Sequence, residues 1–139
     1  MDIVRYKESY RAQVIQLWRD TGLVAPQNDP DKDINRKIAD SPQWFLLGIV
    51  DHQVVATAMA GYDGHRGWVN YLAVTPDRQK QGWAHLLMTE MERLLLAEGC
   101  AKINLQIRET NQQVIAAYQA MGYTIDPVVS MGKRLIPDQ

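Results

Sequence analysis

Hydrophobic positions along the chain change period several times, and each change marks an element. Asp2 to Tyr6 suits a short first strand. Tyr10, Val14, Leu17 and Trp18 then recur at helical spacing, predicting one helix face that closes before Gly22. Asn28-Asp29-Pro30 reads as a loop entering a second helix. Asp29 is its expected N-cap, and Pro30 takes the first helical position, where a missing N–H costs nothing. Ile34 and Ile38 mark this short helix, and Ser41-Pro42 stops it. Trp44 to Val50 is almost continuously apolar, the pattern of a strand covered on both faces. Asp51-His52 predicts a tight turn into a strand from Gln53 to Ala60. Asp63-Gly64, inside Gly61 to Gly67, signals the next hairpin turn. Trp68 to Val74 is a further apolar strand, ended by Thr75-Pro76-Asp77.

The second half alternates helix and strand. The longest helix is expected from about Gly82 to Glu98, with Ala84, Leu87, Met88, Met91 and Leu95 as its buried stripe and Gly99 at its end. Lys102 to Ile107 alternates as a strand does. Asn111 to Met121 is helical, with Val114, Ala117, Tyr118 and Met121 on one side and Gly122 closing it. Two last strands are predicted at Tyr123–Asp126 and Val129–Ile136. The order is β-α-α-β-β-β-α-β-α-β-β, an α/β chain with a mixed sheet that is parallel where helices intervene.

Composition narrows the class. A length of 139 residues, 46% hydrophobic and 22% charged, suits one domain over 1–139 and argues against disorder. A net charge of −1 gives no sign of a nucleic-acid binder. No apolar run is long enough to span a bilayer, and Met1 to Arg5 lacks a signal-peptide core, so a cytoplasmic protein with no membrane partner is expected. Cys100 is the single cysteine, which excludes an internal disulfide and suits a reducing compartment. No Cys/His cluster predicts a metal.

Chemistry concentrates between Tyr71 and Ala84. There a strand ends, a loop turns, and the longest helix starts at a glycine. Unpaired N–H groups and the dipole at a helix start attract an anion. Gly82 and Ala84 let a phosphate approach, and Arg78 and Lys80 add charge, so a pyrophosphate is the natural guest. The segment lacks the Gly-Lys-Ser/Thr of a nucleoside-triphosphate loop and the three glycines of a dinucleotide turn.

Gln79-Lys80-Gln81-Gly82-Trp83-Ala84 instead resembles the acetyl-CoA loop of the GNAT superfamily, Gln/Arg-x-x-Gly-x-Gly/Ala, and Leu72-Ala73-Val74-Thr75-Pro76 resembles the approach to it. Asn111, Tyr118, Gly122 and Tyr123 match a second stretch of that family. Asn28-Asp29-Pro30, Gly61 to Gly67 and Gly132 to Ile136 are similar to segments of its small bacterial YpeA-type members. The resemblance implies a GNAT fold with two central strands splayed, and an N-acetyltransferase moving acetyl from acetyl-CoA to a primary amine. The acceptor is a small-molecule or peptide amine, and homodimers are common in the family. By resemblance, the main chain of Leu72, Ala73 and Val74 holds pantetheine and acetyl. Gln79, Lys80, Gln81, Gly82, Trp83 and Ala84 hold the pyrophosphate, and Asn111 contacts the cofactor.

Tyr118 is the candidate general acid, although its place on an apolar stripe suits packing as well. The base has several candidates. The family often places a glutamate on a splayed strand, but Trp68 to Val74 has no acid, and Gln106 stands where ribosomal-protein acetyltransferases carry one. Asp63 or His65 is the tentative substitute, each with an ordinary turn role as the alternative, and a water chain is a third route. The absent glutamates also leave room for a non-catalytic acetyl-CoA-binding module. A small α/β interaction domain with an accidental loop match is the remaining reading.

Overall fold

The computed structural model describes residues 1–138. Five strands form one sheet in the order β1-β2-β3-β4-β5. They are β1 Asp2–Arg5, β2 Phe45–Val50, β3 Gln53–Tyr62, β4 Gly67–Val74 and β5 Ile103–Leu105. The first three junctions are antiparallel and the β4–β5 junction is parallel. Four helices accompany them: α1 Arg11–Asp20, α2 Pro30–Asp40, α3 Trp83–Ala97 and α4 Gln112–Ala120. The crossover through α3 makes the β4–β5 pair parallel, as the alternation in the sequence requires.

Strand periodicity divides the core in two. Phe45, Leu47 and Ile49 of β2 pack with Val14, Leu17 and Trp18 of α1 and Ile34 of α2. Leu46 joins Ala56, Ala58 and Ala60 of β3 and Leu87, Met88, Met91 and Leu95 of α3 on the other face. Alternate residues therefore serve opposite layers. The expectation that this strand is covered on both sides holds. Small alanines at the centre of β3 let α3 come close. Asp29 caps α2 by accepting from the Lys32 N–H at 3.2 Å, with Pro30 in the first turn, as predicted. Asp51 and His52 both have positive φ, 49° and 62°, which suits the two-residue turn between β2 and β3.

Three expected strands differ. β5 is three residues rather than six. The strands predicted at Tyr123–Asp126 and Val129–Ile136 do not form; residues 123–138 contain no strand. β5 is too short to template a further ladder, and Pro127 interrupts the segment. Side chains hold it instead: Lys102 donates to Asp126 at 2.7 Å, Gln106 donates to Ser130, and Arg134 donates to Asn28 at 3.0 Å. Arg36 then makes two hydrogen bonds to Asp138, at 3.0 and 2.7 Å.

Candidate active site

β4 runs to Val74 but pairs with β5 only across Gly67–Val69 and Ile103–Leu105. From Asn70 onward β4 has no ladder partner on that side. On its other side, the register with β3 slips between Thr57 and Met59, so Ala58 faces two residues, Tyr71 and Leu72. That is a β-bulge. Tyr71 supplies it with a positive φ of 53°. A left-handed backbone costs a side-chain-bearing residue about 1–2 kcal/mol, so its surroundings must hold it there.

Beyond Val74 the chain makes a 3-10 turn, Pro76–Arg78, and enters α3. Gly82 is the N-cap, at φ 81°. Its carbonyl accepts the first helical bond from the Leu86 N–H at 3.1 Å, so the preceding N–H groups of the helix start are not spent inside it. No side chain caps this end. Gln79 to Gly82 are exposed, and a Cβ built on Gly82 would meet nothing within 4 Å. The Gln79 side chain donates to the Val74 carbonyl at 3.1 Å, tying the turn to the strand end. Lys80 sits at φ 66°, a conformation that suits glycine better. The Arg78 guanidinium lies 5.8 Å from the centre of the Trp83 ring, which gives that bulky residue a stacking partner at the mouth of the turn. An open run of main chain thus leads directly into an open helix start.

The profile of the "Acetyltransferase (GNAT) family" matches residues 11–123. An acetyltransferase of Yersinia enterocolitica is 42% identical over 139 residues, covering 100% of this chain and 99% of that protein. The chain belongs to the GNAT acetyltransferase family. It is an acyltransferase. Two aminoglycoside acetyltransferases are among the solved structures that share its fold. Aminoglycoside 6'-N-acetyltransferase AAC(6')-Ig from Acinetobacter haemolyticus superposes with a TM-score of 0.75 at 18% identity, covering 98% of this chain and 100% of that one. Aminoglycoside N-acetyltransferase AAC(6')-Iy in complex with CoA gives 0.74 at 16% identity, covering 96% and 99%.

Within this GNAT chain, the face of the sheet under α3 gathers Leu72, Val74, Tyr118 and Tyr123 around one core. Tyr118 is half-buried and meets the Tyr123 ring edge-on at 5.6 Å. Burial pushes its hydroxyl up to about 12, so it is protonated at neutral pH and able to donate. Tyr118 lines a cavity of about 1680 Å³ together with Asn104, Leu105 and Gln106 of the β5 region. That cavity includes neither Leu72 to Val74 nor Gln79 to Ala84; it lies between β5, α4 and the C-terminal segment. Asn111 is the N-cap of α4, its side-chain oxygen accepting from the Val114 N–H at 3.3 Å.

Asp63 and His65 are not brought to the parted strands. They sit in the β3–β4 turn, before Gly67, and β4 rises about 17 Å from Gly67 to Leu72. The Asp63 carboxylate accepts the N–H groups of His65 and Arg66, each at 2.7 Å, and the Arg66 and His65 amides hold it below the usual carboxylate range. Those bonds are turn chemistry, the ordinary role that the sequence also offered for Asp63. Gln106 donates to Ser130 and faces the C-terminal segment.

On the opposite face, a cavity of about 580 Å³ is lined by residues including Asn28, Asp33, Lys37, Met59, Asn70 and Tyr71. Trp18 does not reach it as a surface group: it is fully buried and donates to the Thr57 hydroxyl at 3.0 Å. Lys37 turns inward, donating to the Ala60 carbonyl and to Ser41, and burial lowers its pKa. Sequence patterning passed over Tyr71, Thr57 and Lys37: nothing in an apolar strand announces which residue will turn left-handed, and nothing in the pattern marks which threonine or lysine will turn inward to bond main chain.

Proposed function

We propose that the chain is an N-acetyltransferase that moves acetyl from acetyl-CoA to a primary amine by direct attack, with both substrates bound. The observation that carries this reading is the unpartnered main chain of Asn70 to Val74 running into the open start of α3. Pantetheine, an amide-bearing arm, suits the former as an added strand, and a diphosphate suits the latter. Leu72, Ala73 and Val74 would hold the arm and acetyl, Gln79 to Ala84 the diphosphate, and the Asn111 amide nitrogen would remain to donate. Holding the amine beside the thioester supplies much of the acceleration. Tyr118 donates a proton to the departing sulfur. The acceptor enters from the face of the 580 Å³ cavity. Its proton leaves through water, since Trp68 to Val74 has no acid. The aminoglycoside enzymes of the same fold make a small-molecule amine the first acceptor class to try.

The test is a panel of amines, small molecules first and peptides second, incubated with acetyl-CoA while free thiol is read. Thiol release that depends on the amine is expected. Acetyl-CoA that binds but is never consumed across the panel would leave only a binding module.

A further inference from the structure

The left-handed residue in β4 is held from the acceptor side of the sheet. The Tyr71 hydroxyl donates to Asp33 Oδ2 at 2.5 Å, reaching from β4 to α2. Its ring stacks on Trp18 of α1 at 3.9 Å between centroids, with planes 17° apart. Its carbonyl accepts from the Thr57 hydroxyl at 2.8 Å, and that hydroxyl in turn accepts from the Trp18 indole. Three elements, α1, α2 and β3, therefore fix one residue whose φ is unfavourable for tyrosine. The next residues along are Leu72 and Ala73. Asp33 is not the cap of α2, because Asp29 does that work. Its carboxylate is turned toward β4, about three-quarters covered, with Arg36 at 3.4 Å on its other oxygen.

We propose that Asp33 is a positioning residue for the thioester strand: acting through the Tyr71 hydroxyl, it holds the bulge that presents the main chain of Leu72 and Ala73 to acetyl-CoA. This rests on the placement of pantetheine given above. It makes the acceptor-side helix part of the machinery that grips the acyl donor. The charged acceptor Asp33 strengthens the tyrosine hydrogen bond, and a tyrosine is needed because phenylalanine keeps the stack but not the tie.

The test separates the strand from the phosphate turn. Affinities for acetyl-CoA and for its nucleotide half alone, adenosine 3′-phosphate 5′-diphosphate, are measured by calorimetry. The proteins are the wild type, Tyr71→Phe, Asp33→Asn, Asp33→Ala and the double variant Asp33→Ala/Tyr71→Phe. Tyr71→Phe and Asp33→Ala should weaken acetyl-CoA roughly ten-fold and leave the nucleotide half unchanged. Asn, which still accepts a hydrogen bond, should restore part of the loss. The double variant should be no weaker than either single one, because both cut the same tie. Equal weakening of both ligands, or multiplied losses in the double variant, would mean a general structural role and overturn the proposal. Unchanged acetyl-CoA affinity in Tyr71→Phe and Asp33→Ala would overturn it while leaving the placement of acetyl-CoA standing. A wild type that binds neither ligand would sink both.

Discussion

At the scale of single residues, the start of α3 depends on backbone that few side chains tolerate. Gly82 at φ 81° has open space where a Cβ would sit, so a substitution there costs conformational strain rather than a clash. Gly82→Val combines that strain with a branched side chain over the helix start. The expected result is a stability loss of about 1–2 kcal/mol together with at least roughly ten-fold weaker CoA binding, since a phosphate must approach the N–H groups closely. Thermal unfolding and calorimetry read the two effects separately. Unchanged CoA affinity would move the diphosphate elsewhere. The same scale marks the limit of reading a sequence. Gly82 was legible because glycine announces its freedom. Tyr71 was not, because its left-handed turn is imposed by Asp33, Trp18 and Thr57, which are 14 to 53 residues away in the chain; the site residue that bends the strand is set by tertiary contacts.

At the scale of elements, α4 delivers Tyr118 to the core beneath α3. Periodicity alone placed it there, and the helix bounds fell within a residue of expectation. Tyr118→Phe removes one hydroxyl and keeps the packing, so stability should change by less than about 1 kcal/mol. Loss of a general acid should lower kcat by roughly 10²-fold or more with acetyl-CoA affinity preserved. Because burial pushes the hydroxyl up to about 12, the protonated form persists across the working range, and this group should impose no alkaline limb on kcat near neutral pH. An equal loss in kcat and in affinity would assign Tyr118 to binding. The strands were read less well than the helices. The two proposed after α4 had suitable residues, but a strand exists only where an edge receives it, and β5 offers three residues.

Across the whole molecule, the C-terminal segment crosses from β5 to α2 on side-chain ties. Val128, Val129, Met131 and Leu135 remain largely uncovered, so apolar burial contributes little to holding it. The last tie is Asp138 on Arg36. The Arg36 guanidinium holds the Asp138 carboxyl below its ordinary value. A lowered folded-state pKa stabilises above the ordinary aspartate range and is lost as pH falls through the lowered value. The segment should therefore detach on acidification before the core unfolds, and Asp138→Asn should reproduce this at neutral pH. Limited proteolysis followed across pH measures it; cleavage that ignores both pH and the substitution would show that other contacts anchor the segment.

The early divergence of β4 from β5 has a consequence for the free protein. Between meals of substrate, the sheet carries a raw internal margin, the kind of surface that recruits stray strands and invites aggregation. An arm that pairs along it shields that margin and shifts the folding balance by mass action. The supply of acetyl donor would then govern how much of the enzyme survives in the cell, as well as how fast it works.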